Sequence, residues 1–167
     1  MSKQFIVSPS YEGDVEVGPE GVENRVYLGR LAERGGVRKV LLNIGKEFVV
    51  LILGKRGSGK SYTLGVILEG LVTKNNKTSL SQLTTRPGVL LLDPMMNFWP
   101  FVIPVTSDGP PKVQRQFSSL RGWDCVPEES NVTLWLPQGF KRDFDYPGIK
   151  DFSLRTSDLD AQDWADL

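Results

Sequence analysis

The feature that most constrains this 167-residue chain is an eight-residue loop, 54–61, that joins an apolar run to a helical pattern. The loop sequence is GKRGSGKS, and it fits G-x-x-x-x-G-K-[ST] at every position. The preceding run, FVVLIL at 48–53, is apolar on both alternating faces, which is typical of a strand buried in a parallel sheet. Over 61–71, apolar residues recur at helical spacing. The sequence therefore predicts a strand, a phosphate-binding loop and a helix in succession.

Each residue type in the loop has a chemical reason. Gly54, Gly57 and Gly59 are expected to let the backbone curl with positive φ, so that successive N–H groups point at phosphate oxygens, and the dipole of the following helix favours the same negative charge. Lys60 is expected to reach the β- and γ-phosphates and Ser61 to ligate Mg²⁺, whereas the side chains of Lys55 and Arg56 are expected to face solvent. ATP and Mg²⁺ are the predicted cofactors. The predicted nucleotide-binding residues are Gly54, Gly57, Ser58, Gly59, Lys60, Ser61 and Tyr62.

Hydrolysis needs more than phosphate binding. It also requires a carboxylate that completes the Mg²⁺ shell, a group that orients water and usually an arginine opposite the γ-phosphate. Asp93 ends the apolar run VLLLD as a magnesium carboxylate would, but Pro94 follows where a hydrolytic Glu often stands. Lys60 and Asp93 are the catalytic candidates, with a structural or secondary role at the site favoured for Asp93. The other hydrolytic groups are not evident in this sequence.

Around the loop the sequence predicts an α/β fold in two parts. Residues 1–46 form a small β-rich segment, with a hairpin turning at Gly35–Gly36. Residues 47–167 are assigned to the N-terminal portion of a P-loop ATPase domain. Within that portion we predict an exposed polar connection at 73–88, a buried strand at 89–92 and a further strand at 131–139. We also predict a short helix at 110–122 with Val113, Phe117 and Leu120 on one side.

The last residues, SDLDAQDWADL, predict a helix that starts and is not terminated. Ser157 and Asp160 have the spacing of a capping box, and neither glycine nor proline follows to end the helix. We therefore expect the chain to be a truncated front portion of a longer protein. A naturally short terminal helix is the alternative.

Composition narrows the chemistry further. Twenty basic and twenty acidic residues give no net charge, although bases concentrate over 25–60, which indicates either a polyanion partner or a solvated surface. One cysteine and no histidine exclude an internal disulfide, a histidine-based triad and a zinc site. No apolar run approaches the ~20 residues of a membrane span, and no signal peptide is evident. We predict a cytoplasmic protein with no membrane partner.

The loop with its flanks resembles the N-terminal portion of the HerA-type ATPases, which are relatives of the FtsK translocases. The residues that carry the resemblance are VLILGKRGSGKSYTLGVILEGL and, after a polar spacer, RPGVLLLDPMMNFW. Members of that group typically continue with Asp-Pro-x-Gly-Glu-aromatic, and here Met96 and Asn97 stand where Gly and Glu are usual. The resemblance extends roughly from Tyr27 to the end of the chain, and only the phosphate loop is strongly specific.

The resemblance implies a RecA-like P-loop core, a partial parallel sheet with flanking helices, after the small β-rich segment. It further implies a DNA translocase or helicase that hydrolyses ATP as a hexameric homo-oligomer with subunit-shared sites, acting on double-stranded DNA beside a nuclease or another effector. The magnesium-binding Asp-Glu strand and the arginine finger of that group cannot be placed here. Two alternatives are a nucleotide-binding regulatory or interaction module without turnover and, less favoured because no acceptor-site signature follows the loop, a small phosphoryl-transfer kinase.

Overall fold

The structure is a computed structural model that describes residues 13–19, 24–32, 38–141, 146, 148–158 and 160–165. The chain divides into two compact units, Met1–Asn131 and Val132–Leu167. Together they form a mixed α/β protein with small sheets and helices. In the part of the chain that the structure describes, no helix has both the length and the apolarity that crossing a bilayer requires.

One sheet organises the first unit. It consists of four short strands: β1 (Val15–Val17), β2 (Asn24–Arg30), β3 (Lys39–Asn43) and β4 (Ser81–Leu83). Their order is β1-β3-β2-β4, with β1 parallel to β3 and β2 antiparallel to both of its neighbours. The two strands of the predicted hairpin, β2 and β3, are confirmed. Its predicted turn at Gly35–Gly36 lies outside the described residues.

Helix α1 (Lys60–Val72) confirms the helix expected after the loop, and it packs on β2 through a glycine. A Cβ atom at Gly70 would overlap Cγ1 of Val26 and would lie 3.0 Å from the carbonyl oxygen of Leu80. Val26 is completely buried, and the same Leu80 oxygen accepts a 2.9 Å hydrogen bond from the N–H of Tyr27. The helix α1 can therefore lie close to Val26 and Leu80 because Gly70 carries no side chain.

The two apolar runs predicted as buried strands of a parallel sheet are not strands. Neither 48–53 nor 89–92 pairs into a sheet of the described chain. Val49, Leu51 and Leu53 are 88%, 75% and 79% exposed, and Leu90 and Leu92 are 87% and 82% exposed. An apolar run becomes a buried strand only where other strands satisfy its backbone and cover its faces, and the described residues place no such strands beside these runs. The parallel pairs form elsewhere, between β1 and β3 and in the second unit.

The segment 73–88, expected to be an exposed connection, contains β4 instead. Ser81 and Leu83 are buried, and polar side chains supply the order that apolar periodicity does not. The hydroxyl of Thr78 accepts the N–H groups of Leu80 and Ser81, both at 3.1 Å. The amide oxygen of Asn24 on β2 accepts the N–H of Thr84 at 2.6 Å. These are hydrogen bonds from side chain to backbone, and they leave no hydrophobic pattern in the sequence.

Helix α2 (Pro111–Gly122) confirms the helix predicted at 110–122. Its expected apolar side is half-buried, whereas its other side is exposed and polar. Just after it, Asp124 forms an ion pair with Arg30 of β2, with 2.5 Å between the carboxylate and guanidinium atoms. The same guanidinium lies over the Trp123 ring, 5.7 Å from its centroid. The end of α2 is thereby joined to the sheet.

The second unit pairs β5 (Trp135–Pro137) with β6 (Lys150–Phe152) in parallel, which confirms a strand within 131–139. It also contains the short helices α3 (Gln138–Lys141) and α4 (Ala161–Ala165). The capping box of α4 begins at Asp160, not at Ser157. The N–H of Asp160 donates to the Asp163 carboxylate at 2.8 Å, and the N–H of Asp163 donates to the Asp160 carboxylate at 2.9 Å. Backbone N–H donors also lower the pKa of Asp160.

Candidate phosphate-binding site

The 54–61 loop owes its turn into α1 to two glycines in left-handed conformations. Gly57 has φ 78° and Gly59, the N-cap of the helix, has φ 88°. A Cβ atom at either position would meet no described atom within 4 Å, so crowding is not the constraint. The constraint is backbone conformation, because residues with a side chain are disfavoured at such positive φ values.

The expectation of a positive φ is wrong for Gly54, which is required by space instead. A Cβ atom there would overlap the hydroxyl oxygen of Ser58, which folds back over the start of the loop. The N–H of Ser58 donates to the carbonyl of Lys55 at 3.2 Å. The loop is therefore curled onto its own first residue.

Lys60 bridges this curl from the first residue of α1. Its ammonium donates hydrogen bonds to the carbonyl oxygens of Gly54 and Lys55, each at 2.9 Å. The side chain is half-buried. The positive charge of the Lys60 ammonium is thus held within the loop, at the N-terminus of α1.

The start of α1 adds to the positive potential of the loop. Within the described chain, no side chain caps the helix and no acidic residue lies in its first turn. The first N–H groups of a helix have no partner inside it, so they are available to an anion here. Thr63 makes the first bond back to the loop, its N–H donating to the Gly59 carbonyl at 2.9 Å. Ser61 and Tyr62 are exposed beside this end.

The side chains of Lys55 and Arg56 are exposed, in agreement with the expectation that they face solvent. Other bases of the 25–60 segment have structural partners. Arg25 forms an ion pair with Glu16 at 2.8 Å, and Arg38 donates to a backbone carbonyl at 2.6 Å. Part of the basic run therefore stabilises the β-rich part of the unit.

The structure places Asp93 in a turn and not in a cluster of acids. One carboxylate oxygen accepts the N–H of Phe98 at 2.8 Å, and the backbone carbonyl of Asp93 accepts the N–H of Met96 at 3.1 Å. Met96 is left-handed, with φ 52°, at the position where the HerA pattern has glycine. In the described ranges, no group of three His, Cys, Asp or Glu side chains is arranged to hold a metal ion.

The buried cysteine does not offer a second chemistry. Burial is the main cause that raises the pKa of the Cys125 thiol, so the thiol remains protonated near neutral pH and is a poor nucleophile. Burial likewise raises the pKa of Tyr27 on β2. These residues belong to the packing around the sheet.

Comparison with known proteins agrees with these observations. The family described as "Helicase HerA, central domain" matches residues 26–124, which is more than half of the chain. The matched span includes most of β2, all of β3 and β4, the 54–61 loop, the Asp93 turn and α2. The curated proteins and the solved structures compared with the chain gave no match. The extent of the family match establishes that this chain belongs to the HerA central-domain family.

Proposed function

We propose that this chain binds ATP at the 54–61 loop and is the nucleotide-binding part of a HerA-class motor ATPase. The observation that carries the proposal is the geometry of the loop. Gly57 and Gly59 turn the backbone, the Lys60 ammonium bonds to carbonyl oxygens of the loop, and α1 begins at the end of the loop without a side-chain cap on its first N–H groups. Membership of the HerA family is a separate support for an ATPase.

In this proposal the loop backbone and the first N–H groups of α1 hold the phosphates. Lys60 supplies positive charge to the β- and γ-phosphates, and the exposed hydroxyl of Ser61 supplies one ligand to Mg²⁺. When bound, Mg²⁺ neutralises phosphate charge. Gly54, Ser58 and Tyr62 complete the proposed contact set by their positions in and after the loop.

The proposed motor function goes beyond nucleotide binding, and two observations support it. The family match is one. The other is the exposure of the apolar runs 48–53 and 89–92, because side chains of this size and number exceed what a soluble monomer ordinarily leaves uncovered. We propose that both runs are strands of a RecA-like parallel sheet in the working assembly. A hexameric ring, subunit-shared ATP sites, double-stranded DNA, a nuclease or other effector partner and a cytoplasmic location belong to the same proposal.

A binder without turnover is the second candidate, and the position of Asp93 favours it. Its carboxylate already accepts the N–H of Phe98, and the described residues contain no acidic cluster for a metal. The loop accounts for binding equally well in either case. ATP turnover by the chain separates the two candidates.

Replacement of Lys60 by alanine tests the loop. We expect Lys60→Ala to weaken binding of a fluorescent ATP analogue by about 10- to 100-fold, since hydrogen bonds from a charged group contribute about 1.5–3 kcal/mol. Far-UV circular dichroism should be unchanged, because α1 is held by its contact with β2. The matched control is Lys55→Ala, which removes an exposed ammonium from the same loop. Unchanged affinity in Lys60→Ala, or an equal loss in both variants, would remove the loop assignment.

A further inference from the structure

We propose that Asp93 positions the nucleotide site and is not a magnesium ligand. Its carboxylate closes the 93–98 turn, and the turn holds the ring of Phe98 against Gly65 of α1, the helix that begins with Lys60 and Ser61. This inference rests on the proposed nucleotide binding by the 54–61 loop.

The turn is fixed at both ends by Asp93. The Asp93 side chain accepts the N–H of Phe98 at 2.8 Å, and its carbonyl accepts the N–H of Met96 at 3.1 Å. Phe98 then caps the 3₁₀ turn Trp99–Val102, its carbonyl accepting the N–H of Phe101 at 3.1 Å. The backbone of Phe98 is therefore held at its N–H by the Asp93 side chain and at its carbonyl by Phe101.

The Phe98 ring lies over the phosphate-loop helix. Its Cε1 atom is 3.7 Å from the point where a Cβ atom of Gly65 would be, an ordinary van der Waals separation from the bare helix surface. The ring also stacks on Phe101, with 6.1 Å between the centroids and 22° between the planes. Gly65 is four residues after Ser61, so the two residues share one face of α1 in successive turns. The ring thus packs one turn from the Ser61 hydroxyl.

A positioning carboxylate and a metal ligand respond differently to conservative replacement. The side-chain oxygen of asparagine accepts the N–H of Phe98 as a carboxylate does. Mg²⁺, however, prefers charged carboxylate oxygens and would lose most of that interaction. Asp93→Asn therefore preserves the turn and removes a metal ligand, whereas Asp93→Ala removes both.

The experiment measures the affinity of a fluorescent ATP analogue with Mg²⁺ and with EDTA, together with the thermal midpoint, for Asp93→Asn, Asp93→Ala and Phe98→Ala. We expect Asp93→Asn to remain within about twofold of wild type in both conditions. Asp93→Ala and Phe98→Ala should lose about tenfold in both conditions, with lower midpoints, because each removes a half-buried contact of the turn. The control Asp108→Ala, which removes an exposed carboxylate bonded to Thr106, should match wild type.

The inference fails if Asp93→Asn loses the Mg²⁺-dependent part of the affinity and Asp93→Ala is no worse than Asp93→Asn. It also fails if Phe98→Ala binds nucleotide as tightly as wild type. If Asp93→Ala does not fold, Asp93→Asn and Phe98→Ala decide the question alone. Failure of the wild-type chain to bind the analogue is a different result, because it overturns the loop assignment on which the positioning role depends.

Discussion

Two glycines of α1 allow a matched test of how this helix is packed. Replacing glycine by alanine within a helix gains about 1 kcal/mol of helix propensity at either position. At Gly65 the new methyl group would lie 3.7 Å from Phe98, which is a normal contact. Gly65→Ala should therefore raise the free energy of unfolding by about 0.5–1 kcal/mol.

At Gly70 the same change should destabilise the protein. The new methyl group would overlap Cγ1 of Val26 and would lie 3.0 Å from the backbone oxygen of Leu80. Val26 is completely buried, and the Leu80 oxygen is held by the N–H of Tyr27, so neither neighbour can move freely. Overpacking of this kind costs about 1–3 kcal/mol. With a cost of about 3 kcal/mol and a gain in helix propensity of about 1 kcal/mol, Gly70→Ala should lower the free energy of unfolding by about 2 kcal/mol.

Urea unfolding followed by circular dichroism and tryptophan fluorescence measures both variants against wild type. The expected separation between Gly65→Ala and Gly70→Ala is about 3 kcal/mol, which at typical m-values of about 1–3 kcal/mol/M separates their urea midpoints by about 1–3 M. If Gly70→Ala is as stable as Gly65→Ala, α1 does not pack on β2 at this glycine, and the described core of the first unit is wrong.

Three further predictions address the Asp93 turn, an ion pair and turnover. Met96 has φ 52°, so Met96→Gly should be about 1 kcal/mol more stable than Met96→Ala in urea unfolding, the reverse of the usual order; equal stability would contradict the left-handed assignment. A hydrogen bond from Lys74 is the main cause that lowers the pKa of Glu129 below its ordinary value, so the stabilisation of the fold by this ion pair is present above the unfolded pKa and is lost as pH falls through the folded pKa. In Lys74→Met, an NMR titration should find the pKa of Glu129 raised towards the ordinary value of a glutamate, and an unchanged pKa would contradict the ion pair. The 167-residue chain alone should hydrolyse ATP barely above background, whereas brisk turnover lost in Asp93→Asn would restore Asp93 as a magnesium carboxylate.

The parts of the fold that follow from local pattern were predictable. The apolar spacing of α1 and α2 and the paired strands β2 and β3 agree with the sequence. The strands expected at 48–53 and 89–92 did not form in the described chain. An apolar run indicates that a segment can be buried, but it does not indicate which strands will pair with it and cover it. β4 was missed because its order depends on Asn24 and Thr78, whose side-chain bonds to the backbone have no periodic signature.

In the candidate site, too, local features were predictable and features that depend on contacts between elements were not. The backbone shape at Gly57 and Gly59 was predictable because it depends on the residue type itself. Both residues have positive φ, a conformation that glycine adopts readily. The turn after Asp93 depends on a bond to a backbone N–H five residues later and on a ring that packs against another element. One signal for it was present in the sequence, since Met96 occupies a position where the HerA pattern has glycine and takes the backbone conformation that glycine favours.

Calorimetric titration of the wild-type chain measures directly whether the 54–61 loop binds the phosphates of a nucleotide. ATP with Mg²⁺ and AMP with Mg²⁺ share the base, the sugar and the α-phosphate, and they differ in the β- and γ-phosphates that Lys60 is proposed to contact. We expect saturable binding of ATP and binding of AMP that is weaker by at least about 100-fold, because AMP lacks the phosphates that would accept these charge-assisted hydrogen bonds. Equal affinity for ATP and AMP, or no binding of ATP, would contradict this expectation.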